Sequence, residues 1–141
     1  MKFKFLEHTA DVKFQAFGKS LEEAFENAAL ALQEVMTKGI KVKEKIKKKI
    51  TMAVEGSGKE GLLYSFLEEF LFLLDAKDFL LSKIKKIKIE EEVGRYELEA
   101  EVMGDKASNY KFTNDVKAVT YNSMFVKREG KAYICQVVLD V

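Results

Sequence analysis

The chain has no proline and no tryptophan, one cysteine and one histidine. A lone Cys135 excludes a disulfide framework within the chain and a thiolate metal site, so a reducing cytoplasmic setting is expected. It lies in an apolar run and reads as a small buried hydrophobe, not a nucleophile. A lone His8 excludes a multi-histidine metal centre and a pair of catalytic imidazoles. Excess charge of one sign is also missing. The 24 basic and 23 acidic residues leave a net charge of +1, which exerts no general pull on nucleic acid or membrane. Long apolar runs are absent too. The longest, near residues 62–74, is broken by Glu68 and Glu69 and is too short to span a bilayer. The opening Met1-Lys2-Phe3-Lys4-Phe5 lacks the apolar centre of a secretory leader. The missing prolines, with abundant Lys, Glu and Ile, lean toward a heat-adapted source.

What remains suffices for one domain over residues 1–141. The length is ordinary for a single core, and 48% of residues are hydrophobic. No repeat, low-complexity linker or internal boundary interrupts the chain.

Residues 2–6 alternate charged with apolar side chains, as an edge strand does. Val12 to Phe17 alternates again. Ser20 and Glu23 form a capping box, and Leu21, Ala24, Phe25, Ala28, Ala29, Leu32, Val35 and Met36 follow at helical spacing. Lys38-Gly39 stops that helix. The basic run Lys41–Lys49 merges into a strand with Ile46, Ile50, Met52 and Val54 on one side. Lys48 falls on that side, so pairing is expected to start after it. Gly56-Ser57-Gly58 turns the chain, Ser57 and Glu60 repeat the capping pattern, and a more apolar helix runs to Leu74. Phe79–Glu92 is a strand region. Gly94-Arg95 turns it into Tyr96–Val102, whose glutamates are expected to face the lysines of the preceding strand. Residues 104–115 read as irregular. Val116–Val126 and Ala132–Val141 form a last hairpin across residues 127–131. The order predicts an α+β fold, with two helices packed on a mostly antiparallel sheet.

Several patterns carry less than they suggest. Gly56-Ser57-Gly58-Lys59 brushes against a phosphate loop, but Ala53 stands where a glycine is required and no Ser or Thr follows the lysine. A turn and helix start explain it better. Lys41–Lys49 could bind RNA phosphates, yet it has no interleaved aromatics for base stacking, so a solvated connection leading into a strand is the better reading. His8, beside Thr9 and Asp11, is more simply a local hydrogen-bond anchor than a catalyst. Lys117 is an ordinary surface lysine by default, unless its strand start aims it at carboxylates.

The segment Tyr133–Val141 is apolar on both faces apart from Gln136, which marks a central strand. It closes on Asp140 and then on the carboxylate of Val141. Two anions at the end of a buried strand resist desolvation. A frayed, hydrated end would satisfy them. So would a cation, if the strand beginning near Asp11 lies alongside. Asp11, Asp140 and the Val141 carboxylate would then make an all-oxygen site, suited to calcium or magnesium and not to zinc or copper, with calcium the more tolerant of mixed geometry.

His8-Thr9-Ala10-Asp11, Ala16-Phe17-Gly18, Ser20–Phe25, Val116-Lys117-Ala118-Val119-Thr120-Tyr121 and Val137–Val141 together resemble archease, the small protein partner of RtcB-type RNA ligases. The resemblance spans both ends of the chain. It implies a non-enzymatic activator that promotes GTP-dependent guanylylation and multiple turnover of the ligase in tRNA splicing. It carries a metal site onto Asp11, Asp140 and Val141, and a functional lysine onto Lys117. Partner activation is expected from Asp11, Lys117 and Asp140. Many relatives have His where this chain has Asn122, and a small residue at Lys13. Two other readings stay open: an RNA-binding or chaperone module acting on tRNA through Lys41–Lys49, and a small divalent-metal hydrolase on the same carboxylates. The hydrolase lacks an evident general base with a partner.

Overall fold

Residues 1–7 and 10–141 are described by a computed structural model. Alternation builds β1 (Phe3–Leu6) and β2 (Val12–Gly18). The first helix, α1 (Leu21–Thr37), starts where the capping box predicts, with Ser20 Oγ accepting the Glu23 N–H at 3.1 Å. The Glu23 carboxylate reaches back one residue further than that motif requires, to the N–H of Lys19 at 3.0 Å. Lys38 closes the helix in the left-handed region, φ 52°, with its N–H on Glu34 O.

Then follow β3 (Ile46–Glu55), α2 (Gly58–Lys77), β4 (Phe79–Glu92), β5 (Arg95–Lys106), a 3-10 turn at Ala107–Asn109, β6 (Ala118–Glu129) and β7 (Ala132–Asp140). The α+β class holds, with every pairing antiparallel. The strands form two sheets, in the orders β1-β2-β7-β6 and β3-β5-β4. Both helices lie between them. α1 packs on β1, β2 and β7 of the first sheet and on β4 of the second; α2 packs on β6 and on β3, β4 and β5. A helix pressed from two sides must be apolar on two sides. That is why Leu62, Leu63, Phe66, Leu67, Phe70, Leu71 and Leu73 of α2 are all buried. The central strand β7 is buried on both faces from Cys135 to Leu139.

Some local expectations fail for physical reasons. Pairing of β3 starts at Ile46, not after Lys48. Lys48 sits opposite Val102 and lays its ammonium 5.9 Å above the Phe79 ring. A long lysine can occupy an inner position if its stem covers carbon and its head finds a π face. Ser57 does not cap α2. Its backbone is already helical (φ −100°, ψ −4°), so its hydroxyl makes no cap bond, and Glu60 instead accepts the Val126 N–H at 3.1 Å. Residues 104–106 belong to β5, because Gly104 pairs with both Ile46 and Leu81. The last hairpin turns more tightly than expected, with Gly130-Lys131 alone between β6 and β7. The acidic face of β5 does meet lysines, with Glu101 opposite Lys86 and Glu99 opposite Lys88. The ion pair of Glu101 is nevertheless with Lys47 of β3, at 2.8 Å.

Candidate functional site

The register of the first sheet decides what its end contains. Val12 pairs with Leu139 at the start of β2, and Ala118 pairs with Asp140 at the start of β6. Continuing the first register by one residue sets Asp11 opposite Asp140. The Lys117 N–H donates to the Asp140 carbonyl oxygen at 2.8 Å. Residues far apart in sequence, namely Asp11, Lys117, Asp140 and Val141, therefore meet at one end of three adjacent strands. His8, the predicted local anchor, lies outside the described residues. Ala10, two residues on, has φ 69°, in the left-handed region that is uncommon for a residue with a Cβ.

Lys117 and Val141 line a cleft of about 490 Å³, together with Val12, Val35, Lys38 and Asp115. The segment presenting Lys117 is held at three points. Asn114 Oδ1 accepts the Val116 N–H at 2.9 Å. Lys38 Nζ bonds Asp115 Oδ2 at 2.7 Å. The Lys117–Asp140 backbone bond is the third. Lys38 and Asp115 escaped sequence reasoning because Lys38 reads as a helix stop and Asp115 as loop. Their pairing exists only once α1 ends beside the start of β6.

Two aspartates stand on neighbouring strand ends, Asp11 one residue ahead of β2 and Asp140 at the last residue of β7. Among the described residues, no three His, Cys, Asp or Glu side chains gather into a metal-holding group. Of the three residues expected to hold a metal, only Asp11 and Asp140 have such side chains.

Further along β6, Tyr121 stacks on Tyr64 of α2, with centroids 4.2 Å apart and rings 6° from parallel, and it is 55% exposed. Its neighbour Asn122 is exposed within an irregular stretch where pairing jumps from Thr120–Val138 to Phe125–Gln136. The Glu68 carboxylate beside the Tyr64 hydroxyl pushes its pKa up. Cys135 is fully buried, and burial pushes its thiol up to about 12, as an inert core residue requires. The run Lys41–Lys49 is partly absorbed into structure. The Lys43 N–H donates to Tyr110 Oη at 2.9 Å, the Lys45 N–H to Gly104 O at 2.8 Å, and Lys47 is paired with Glu101.

Residues 3–141 match the model of the archease protein family (MTH1598/TM1083). The chain belongs to the archease family. It is 40% identical to the archease of Pyrococcus furiosus, covering 96% of this chain and 95% of that protein. It is 35% identical to that of Methanosarcina mazei, covering 99% and 96%. The solution structure of Methanobacterium thermoautotrophicum protein 1598 superposes with a TM-score of 0.84 at 38% identity, over 99% of both chains. The crystal structure of a Thermotoga maritima archease, described as a possible chaperone, shares the fold at a TM-score of 0.58 and 22% identity, over 98% and 96% of the two chains. This archease has no helix, among the described residues, long and apolar enough to cross a membrane.

Proposed function

We propose that this archease is a non-enzymatic activator of an RtcB-type RNA ligase, promoting its guanylylation by GTP and its multiple turnover during tRNA splicing. The observation that carries the reading is the meeting of Asp11, Lys117, Asp140 and Val141 at one sheet end in a member of this family. Asp11, Asp140 and the Val141 carboxylate would hold a divalent cation, calcium before magnesium, because all their donors are oxygens and calcium accepts irregular geometry. When bound there, such a cation would neutralise the clustered carboxylates, so that Asp11 and Asp140 could approach an electronegative nucleotide site. The chain's own residues do the positioning. The Lys117 backbone holds Asp140, and the Lys38–Asp115 pair with the Asn114 turn holds the Lys117 segment. The end so formed is presented to the ligase, where it assists nucleotide transfer to the ligase's own nucleophile.

The test is guanylylation of a cognate ligase with labelled GTP, with and without this protein. Wild type is expected to raise both rate and turnover number. Asp11→Ala and Asp140→Ala are expected to lose the stimulation while keeping the far-UV spectrum. Full stimulation by both variants would overturn the reading.

A further inference from the structure

A sheet edge presents unpaired main-chain N–H and C=O groups, and soluble proteins block such edges with bulges, charges, short strands or covering groups. Among the described strands, β1, β4 and β6 are edges blocked in these ways. β1 is only four residues long. β4 shifts register at Leu81/Lys83 and again at Ile84/Lys86, and its Ile89 N–H donates to the Glu22 carboxylate of α1 at 3.3 Å. β6 loses register between Thr120 and Phe125, and its Val126 N–H donates to Glu60 of α2. The remaining edge, β3, differs. Its ten residues pair with β5 in unbroken register. The Gly56 N–H, next in that register, donates to Gly94 O. The even-numbered residues of β3 therefore bond β5, and Lys49, Thr51 and Ala53 turn their main-chain groups outward. Among the described residues, nothing bonds to those groups.

Lysines protect only the first half of this edge. From Ile50 to Val54 it carries no charge. Beneath that half, β3 and α2 enclose a groove of about 420 Å³, lined by Met52, Ala53, Ser65, Glu68, Glu69 and Phe72. Phe72 is 51% exposed. Glu68 and Glu69 make no ion pair among the described residues, and burial pushes the Glu69 pKa up. Water alone satisfies the open main-chain groups. It gives no reason for an exposed phenylalanine and a partly desolvated carboxylate to line the groove below them. A strand added to β3 answers all three features. It lies about 4.8 Å beyond β3 and, sharing its pleat, turns every second side chain toward α2, about 7 Å apart. Glu68 and Phe72 stand one helical turn, about 6 Å, apart along α2. Successive inward side chains therefore meet Phe72 with Met52, and then the two glutamates. The first position suits an apolar group and the second a cation.

We infer that the uncharged half of β3 takes an extended segment of a partner protein as an added strand, with apolar and basic side chains alternating over Phe72 and over Glu68 and Glu69. The main chain supplies affinity, and the groove selects the side chains. The inference goes beyond ligase activation and uses none of the residues assigned to it, so each stands or falls without the other.

The experiment is fluorescence anisotropy of a labelled peptide, Thr-Val-Thr-Arg-Thr-Val-Thr-Arg-Thr, with the full chain. Two controls accompany it: the same peptide with glutamate in place of arginine, and the same peptide N-methylated at every amide. Wild type is expected to bind the arginine peptide and to bind each control about tenfold more weakly or worse. On binding, hydrogen exchange at the Thr51 and Ala53 amides should slow, because an added strand accepts from those outward donors. Phe72→Ser changes an exposed side chain and should weaken binding about tenfold. Glu68→Lys/Glu69→Lys should weaken the arginine peptide about tenfold and bind the glutamate peptide more tightly than wild type does. Misfolding does not produce that reversal. No binding of the arginine peptide by wild type, equal binding of either control, unchanged exchange at Thr51 and Ala53, or indifference to both sets of substitutions would each overturn the inference. So would protection of the same two amides in the protein alone, with light scattering showing a dimer, since a second copy would then be the occupant.

Discussion

The backbone N–H of Lys117 donates to the carbonyl oxygen of Asp140 across 2.8 Å. This bond lies one residue ahead of the start of β6 and at the last residue of β7. It ties Lys117 to Asp140 through the main chain. Substituting either side chain therefore leaves the bond in place, and what such variants lose can be assigned to the side chains themselves.

Calcium should stabilise the protein, and Asp140→Asn should abolish that response. At a concentration one hundred times the dissociation constant, single-site binding contributes about 2.7 kcal/mol. Without calcium, Asp140→Asn should be no less stable than wild type, since it removes one of two neighbouring negative charges. Thermal denaturation with calcium and with a chelator reads both effects. A calcium-induced rise of equal size in the variant would sink the assignment.

The two serines that precede helices should behave differently. Ser20→Ala removes the bond to the Glu23 N–H and should cost about 1 kcal/mol. Ser57→Ala removes no cap bond and should stay within about 0.5 kcal/mol of wild type. Urea titrations of the two variants check the contrast.

Phe66 is fully buried, with its ring centroid 6.0 Å from that of Phe25 and 5.0 Å from that of Phe70. It joins α1 to α2 in the layer between the sheets. Phe66→Ala should cost about 3–5 kcal/mol. Gly104→Ala should also destabilise, because a Cβ there meets the carbonyl oxygen of Leu80 and the ring of Phe79, and backbone cannot yield as a flexible side chain does. Equilibrium unfolding measures both changes.

Acid should erase the contribution of the Tyr110–Asp105 contact. The Tyr110 hydroxyl 2.7 Å away lowers the Asp105 pKa. The Lys106 N–H, Asn109 and the Lys45 charge add to this, while burial opposes it. A carboxyl lowered in the folded state stabilises above its unfolded pKa of about 3.9, and that gain is lost as pH falls through the folded value. Tyr110→Phe should therefore be less stable than wild type at pH 7. The gap should narrow as pH drops from about 5 through the unfolded value of about 3.9 and on through the lower folded value, as the carboxyl takes up its proton. Stability curves for both proteins, measured across that range, test the sign.

Sequence alone determined the local pieces. Period-two alternation marked most strands, helical spacing marked both helices, and Ser20-x-x-Glu23 marked the start of α1, because each signal concerns bonds and faces within a few residues. The apolar run around Cys135 likewise marked β7 as central. The motifs at the two ends of the chain pointed to the family by residue identity and order, with no help from the fold. Tertiary structure alone decided that the strands divide into two sheets with the helices between them. It decided that Ser57 leaves its cap unused, that Lys48 turns inward onto Phe79, and that Lys38 reaches Asp115. It also decided that Asp11 stands beside Asp140. A chain specifies its turns by neighbours, whereas the partner of a distant strand is chosen by burying every apolar face at once, and no short stretch contains that sum.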